Sequence, residues 1–204
     1  DDANLFMIAV NDKNTDGVLA RQKRDEDALR AIPGVASVAW TSQMPLSQSG
    51  SNTGIQTDPK QTESVASPAV YAGNESLMKT FGSKIIEGRD FNAGDVLEIN
   101  DNLPDQPKHK VALVTKALAK KLYPNDASAL GKVFYNGRGD PPIEIIGVVD
   151  MLVTPWGRAS WNTRNNGDES FILPSRYVMQ PYNIYAVRAE HGQRERVMKE
   201  AEKT

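Results

Sequence analysis

Histidine and cysteine, the side chains that most often carry metal or nucleophilic chemistry, are nearly absent from this sequence. It has no cysteine and two histidines among 204 residues. Without cysteine, disulfides, thiolate catalysis and cysteine-based zinc sites are excluded. His109 lies in a lysine-rich stretch, His191 precedes a glycine, and neither an HExxH nor an HxH motif occurs. Because a zinc site needs at least three side-chain ligands, we predict two surface histidines and no metal.

Other catalytic and cofactor-binding motifs are also missing. The serine-rich run SQSGSNTG at 47–54 does not match the GxSxG nucleophile elbow. No GxxxxGK[ST] phosphate-binding loop occurs. The run NGRGDPP at 136–142 contains glycines but lacks a following helix that would point backbone amides at a phosphate. The sequence therefore predicts a protein without catalytic residues and without a cofactor.

Two tryptophans in a polar segment are the strongest candidate for a binding feature. Trp156 and Trp161 stand with Arg158 and Arg164 in residues 154–170, which are mostly Gly, Ser, Thr and Asn. Large aromatic side chains are costly to leave in water unless they pack or bind something. One hypothesis is that both indoles fold back onto the core as caps. The other is a contact surface for a partner subunit, an adaptor protein or a substrate.

Charge and hydropathy narrow the class of protein. The formal net charge is −2, with 39 % hydrophobic and 25 % charged residues, which is typical of a globular chain of one or two domains. Charges of both signs are interspersed without a basic stripe, so a nucleic-acid partner is not expected. No apolar run approaches the ~18 residues of a membrane span, and no signal peptide is found. Because the chain opens on Asp1 rather than Met, we expect a processed protein or an excised piece of a longer one.

The opening stretch predicts a β-α-β unit around which the rest of the chain is organised. Residues 5–10 are apolar enough for a buried strand, and residues 35–41 alternate as a returning strand. Between them a helix is predicted over 17–32, with Asp16 as its N-cap and a Pro-Gly pair at its end.

This predicted helix is unusual because its apolar residues lie at its ends. The charged run RQKRDED fills its middle, at 21–27. We predict a surface helix with a solvated middle, and the alternative is a charged interaction face.

The remainder of the chain alternates strands and helices, so the predicted class is α/β (α+β). A second β-α pair is clear, with a strand at 111–114, Thr115 as N-cap and a helix at 116–123. Residues 92–110 are predicted as a loop, and Pro174 as the end of a short strand. Further strands are predicted at 65–72, 83–87, 143–149, 171–173 and 182–188, and further helices at 74–81 and 193–203.

Five blocks of sequence, in order and with suitable gaps, resemble a known family. They are AIPGVASVAWTSQMPL, EGRDF, VALVTKALAKKLYP followed by LGK, IEIIGVVD, and ILPS. Together they resemble the MacB-like periplasmic core domain of FtsX-type ABC transporter permeases. The resemblance covers residues 5–203, nearly the whole chain.

The resemblance implies a fold of two lobes. A split β-α-β lobe is expected from both chain ends, residues 1–72 and 181–204, with an inserted mixed α/β lobe at 73–180. The strands at 5–10, 35–41 and 182–188 are then expected to share one sheet.

The resemblance also implies a function. Such domains lie between the first and second transmembrane helices of a permease, on the periplasmic side of the bacterial inner membrane. We expect a non-catalytic domain that transmits conformational change during export. The implied partners are a cytoplasmic ABC ATPase subunit, a second permease copy or paralogue, and a periplasmic adaptor. The alternative is a free-standing periplasmic domain that binds or senses a small molecule in the cleft between its lobes.

Overall fold

The computed structural model describes residues 2–11, 16–137, 139–157, 167–178 and 182–203, which form a mixed α/β fold. The helices are α1 (Val18–Arg30), α2 (Leu77–Phe81), α3 (Lys116–Leu122) and α4 (Arg194–Ala201). The strands are β1 (Leu5–Asn11), β2 (Val35–Thr41), β3 (Ala69–Gly73), β4 (Ile85–Gly88), β5 (Leu97–Ile99), β6 (Val111–Thr115), β7 (Val133–Phe134), β8 (Ile143–Val149), β9 (Ser170–Tyr177) and β10 (Tyr182–Ala189). The predicted α/β class is confirmed.

The ten described strands form one mixed sheet. Their order is β1-β10-β2-β3-β9-β6-β8-β4, with β5 beside β9 and β7 beside β8. The first three strands are antiparallel, and Ala186 of β10 lies opposite both Met7 and Ala39. The prediction that the strands at 5–10, 35–41 and 182–188 share a sheet is therefore confirmed. The division into two lobes stays a prediction.

The two faces of the sheet carry separate parts of the core, because side chains alternate along each strand. One face carries Ala39, Tyr71 and Ile172, and α2 packs over it through Met78 and Phe81. On the opposite face, α1 and α4 cover one cluster of buried residues and α3 covers another. The sheet is thus sandwiched between helices over much of its area.

The strand predicted at 171–173 does not end at Pro174. β9 runs through it to Tyr177, and it changes its neighbour at that point. Pro174 is the last residue paired with β3, and Ser175 is the first paired with β5. Because proline lacks an N–H group, it fits a position where the ladder is interrupted.

Two further local predictions are wrong. The region 92–110 is not wholly a loop, because β5 forms within it. The N-cap of α1 is Gly17 rather than Asp16, with φ at 67° and no side-chain cap bond. Glycine tolerates this left-handed conformation at little cost.

No described helix is long and apolar enough to cross a membrane.

Candidate functional site

The two halves of the sheet meet at a narrow junction between β2 and β3. Thr41 and Gly73 form the one register pair between these strands, the shortest pairing of neighbours in the described sheet. Just beyond it, the N–H of Ser42 donates to the carbonyl of Ala72 at 3.0 Å. The N–H of Ala72 in turn donates to Ser42 Oγ at 2.9 Å. These four residues are called the sheet joint below.

A buried carboxylate from α1 takes the place of a strand partner beside the joint. Glu26 Oε1 accepts the backbone N–H of Trp40 in β2 and the Nδ2 group of Asn74 at 2.9 Å. Glu26 Oε2 forms an ion pair with Arg176 of β9. All four residues of this Glu26 cluster are buried. The carboxylate therefore ties α1 to both sides of the joint.

Further polar contacts between α1 and the sheet are made by Gln22, one helical turn before Glu26, and by Asp25. Gln22 Nε2 donates to the carbonyl of Tyr177 and to Asn183 Oδ1, both at 2.8 Å. The hydroxyl of Tyr185 donates to Asp25 at 2.7 Å. Burial, followed by this bond to Asp25, raises the pKa of Tyr185 above its ordinary range.

The predicted solvated middle of α1 is only partly right, because Lys23, Arg24 and Asp27 are exposed but Gln22 is 0 % and Glu26 2 % exposed. The sequence contained a signal for this. Val18, Gln22, Glu26 and Leu29 follow i, i+4, i+8 and i+11 spacing, which places them on one stripe of a helix. That stripe faces the sheet, and two of its positions are polar because Gln22 Nε2 and the Glu26 carboxylate have partners on the sheet.

A groove of about 450 Å³ opens on the α2 face of the sheet. Its walls are the loop after β2, the end of α2 and the segment after β8. Leu46 and Met151 lie on the groove and are 62 % and 56 % exposed. Met44 and Phe81 form part of its buried lining. This set of residues is called the contact groove below, because exposed apolar side chains beside a concavity suit a binding partner.

Backbone hydrogen bonds hold the loop after β2 against the segment after β8. The N–H of Leu46 donates to the carbonyl of Thr154 at 3.3 Å, and that of Gln48 donates to Pro155 at 2.8 Å. Leu46 and Gln48 have φ values of 59° and 64°, a left-handed conformation that non-glycine residues rarely adopt. The groove wall is thus built from a strained but hydrogen-bonded loop.

The profile of the MacB-like periplasmic core domain family matches residues 1–204. The chain belongs to this family. Two solved structures share the fold. The extracellular domain of the noncanonic ABC-type transporter YknZ from Gram-positive bacteria is 18 % identical, with a TM-score of 0.57 over 97 % of this chain and 90 % of that one. The periplasmic region of MacB from Actinobacillus actinomycetemcomitans is 17 % identical, with a TM-score of 0.57 over 98 % and 80 %. No protein with a curated description gives a significant sequence match.

In this MacB-like domain, Trp156 packs against the core cluster under α2 and is partly buried. Its indole Nε1 is buried and has no hydrogen-bond partner among the described residues. Trp156 directly follows Thr154 and Pro155, which hold the loop of the contact groove. The other predicted contact residues, Arg158, Trp161 and Arg164, lie outside the described residues. The tryptophan contact surface therefore stays a prediction.

The two histidines occupy different environments. His191 is exposed, as predicted, but His109 is partly buried, with its ring centroid 6.2 Å from that of Tyr177. Burial, assisted by the charge of Lys108, lowers the pKa of His109 to about 4. Among the described residues, no group of three or more His, Cys, Asp and Glu could hold a metal ion.

Proposed function

We propose that this chain is the extracytoplasmic domain of an ABC transporter permease, without catalytic residues, and that it transmits conformational change during export. The observation that carries the proposal is the match of the MacB-like periplasmic core domain family over residues 1–204. The shared fold of the YknZ and MacB domains supports it. The domain then lies on the periplasmic side of the bacterial inner membrane.

The sheet joint is the proposed mechanical element. One half of the molecule contains β1, β10 and β2 with α1 and α4, and the other contains β3, β9, β6, β8 and β4 with α3. The single register pair at Thr41 and Gly73 resists a change of angle between the halves less than a full ladder does. We propose that the boundary between the two lobes lies at this joint, which moves β3 (Ala69–Gly73) from the expected lobe 1–72 with 181–204 to the half that contains 73–180.

The Glu26 cluster sets which angle is preferred. Its carboxylate contacts β2, β9 and the residue after β3, so a rotation at the joint must lengthen at least one of these contacts. Switching a two-state element from 1:99 to 99:1 requires about 5.5 kcal/mol of differential binding. A cytoplasmic ABC ATPase subunit, acting through the membrane segments of the permease, is the proposed source of this energy.

The contact groove is the proposed surface for a protein partner. Leu46 and Met151 present exposed apolar surface beside a concavity, and Trp156 follows the residues that anchor its wall. A second permease copy or paralogue and a periplasmic adaptor are the proposed partners. Contact with the exported substrate at the same surface would use the same apolar side chains.

Pairs of spin labels in the full permease test the mechanical role. The chain contains no cysteine, so each introduced thiol is unique within this domain. Arg24→Cys on α1 and Lys120→Cys on α3 place exposed labels on the two halves. Arg24→Cys with Lys199→Cys on α4 is the matched control, because both labels lie on one half.

ATP added to the permease with its ATPase is expected to change the α1–α3 label distance and to leave the α1–α4 distance unchanged. Equal distances with and without ATP for the α1–α3 pair would overturn the proposal of a moving joint. A change in both pairs would show rearrangement within one half, which also contradicts it.

A further inference from the structure

A second cavity, of about 180 Å³, lies between the loop after β5 and the loop before β8. Its apolar walls are Ile99, Ile143 and Leu173, all buried. Tyr177 and His109 also line it. An apolar cavity of about 150 Å³ is large enough for benzene, so this one suits a ligand of similar or slightly larger size.

Two buried polar atoms in this cavity lack a hydrogen-bond partner within the described part of the chain. They are His109 Nε2 and Asn136 Oδ1, which come from different loops. A buried polar atom without a partner is costly, and native structures contain few of them. A ligand that forms a hydrogen bond with each atom would explain why both lie in one cavity.

The described charged residues that line the cavity carry a net negative charge. Among the described lining residues, the charged ones are Asp101, Asp140 and Lys108, whose Nζ lies 3.5 Å from Asp140 Oδ1. These three groups sum to one negative charge. His109 adds none at neutral pH, because burial and the neighbouring Lys108 lower its pKa to about 4.

The two unpartnered atoms, His109 Nε2 and Asn136 Oδ1, favour a ligand that donates hydrogen bonds. Asn136 Oδ1 can only accept, and a neutral imidazole nitrogen can accept when the other nitrogen carries the proton. An ammonium group offers three donors and a positive charge. The alkyl part of the ligand would lie against the apolar side chains of Ile99, Ile143 and Leu173.

We propose that this cavity binds a small primary ammonium compound, whose N–H groups reach His109 Nε2 and Asn136 Oδ1 and whose alkyl part lies on the apolar walls. This site is separate from the joint and the contact groove, so it does not depend on the proposed function.

Titration of the purified chain with n-butylammonium, followed by proton NMR, tests the site. The chain has two histidines, so a His191→Phe variant assigns the imidazole signals. We expect n-butylammonium to shift the His109 signals with a dissociation constant of roughly 1 mM and to leave those of His191 unchanged. Butyrate, of the same length and opposite charge, is expected to shift neither.

Variants then locate the binding. Asn136→Leu removes the unpartnered Oδ1 and Asp140→Asn removes a negative charge, and both variants keep the His109 signals as the readout; each is expected to weaken binding about tenfold. Asp126→Asn is the matched control, because Asp126 is also ion-paired with a lysine but does not line the cavity. If the His109 signals do not respond to n-butylammonium in the wild-type chain, or respond equally to butyrate, the proposal is wrong whatever the variants do.

Discussion

Glu26 and Arg176 form a buried ion pair between α1 and β9, although 150 residues separate them in the chain. The side chain of Glu26 is 3 % and that of Arg176 7 % exposed. Arg176 Nη1 is buried without a partner within the described residues, so the guanidinium depends heavily on this one carboxylate. Removing one member of such a pair leaves the other charge buried and uncompensated, which is far more costly than losing a surface ion pair.

Glu26→Gln is therefore expected to destabilise the domain by about 3 kcal/mol, within the range for breaking a buried pair. Asp27→Asn is the matched control on the same helix, because Asp27 pairs with Arg30 in an exposed contact. It is expected to cost under about 1 kcal/mol. Urea melts of both variants measure the difference. Equal losses of stability would show that the buried pair contributes little.

Replacing both members of the ion pair tests whether the pair mainly stabilises the folded domain or mainly sets the angle between the two halves. Glu26→Met with Arg176→Met is expected to be less destabilised than either single variant, because no uncompensated charge remains. In the spin-labelled permease without ATP, the same double variant is expected to broaden the distribution of distances between the labels on α1 and α3. A double variant as unstable as the sum of the single variants would contradict this account.

Local signals decide how far the sequence predicts this fold. The strand Ile143–Val149 has the bounds that its β-branched run predicted, and Thr115 is the predicted N-cap of α3. β5 was missed because its three residues form a strand through pairing with β9. The sequence predicts Glu26 in the solvated middle of α1 because its burial depends on Trp40 and Arg176, which no local pattern connects to it. Long-range polar contacts build the site, and a single sequence does not contain them.

Thr115 connects α3 to β9 as well as capping the helix. Its Oγ1 accepts the N–H of Leu118 at 3.4 Å and of Ser170 at 3.1 Å, and it donates to the carbonyl of Asp168 at 2.7 Å. Thr115→Ala removes all three bonds and is expected to cost about 2 kcal/mol of unfolding free energy. Thr115→Ser keeps the hydroxyl, and its melt is expected to lie much closer to wild type. A serine variant as unstable as the alanine variant would assign the effect to the lost methyl group.

Two glycine substitutions separate strain from binding in the contact groove. Leu46 and Gln48 both have positive φ, so Leu46→Gly and Gln48→Gly are each expected to preserve stability or raise it by up to about 1 kcal/mol. Only Leu46→Gly removes exposed apolar surface from the groove. Transport by the full permease is therefore expected to fall for Leu46→Gly and to remain normal for Gln48→Gly. Normal transport for both variants would exclude Leu46 from partner contact.

The pH dependence of stability is expected to contain a term from His109. Burial and Lys108 lower its pKa to about 4 in the folded chain, whereas an unfolded histidine titrates near 6.5. Between these values the unfolded chain binds more protons, so stability falls as the pH falls from about 6.5 to about 4, and the loss is complete below that. The full loss is on the order of 3 kcal/mol at most.

His109→Phe keeps the ring next to Tyr177 but cannot be protonated, so urea melts between these pH values are expected to show a smaller loss of stability than wild type. His191→Phe is the control for replacing a histidine by phenylalanine, because His191 is exposed. Parallel pH profiles for wild type and His109→Phe would show that His109 accepts a proton as easily when folded as when unfolded.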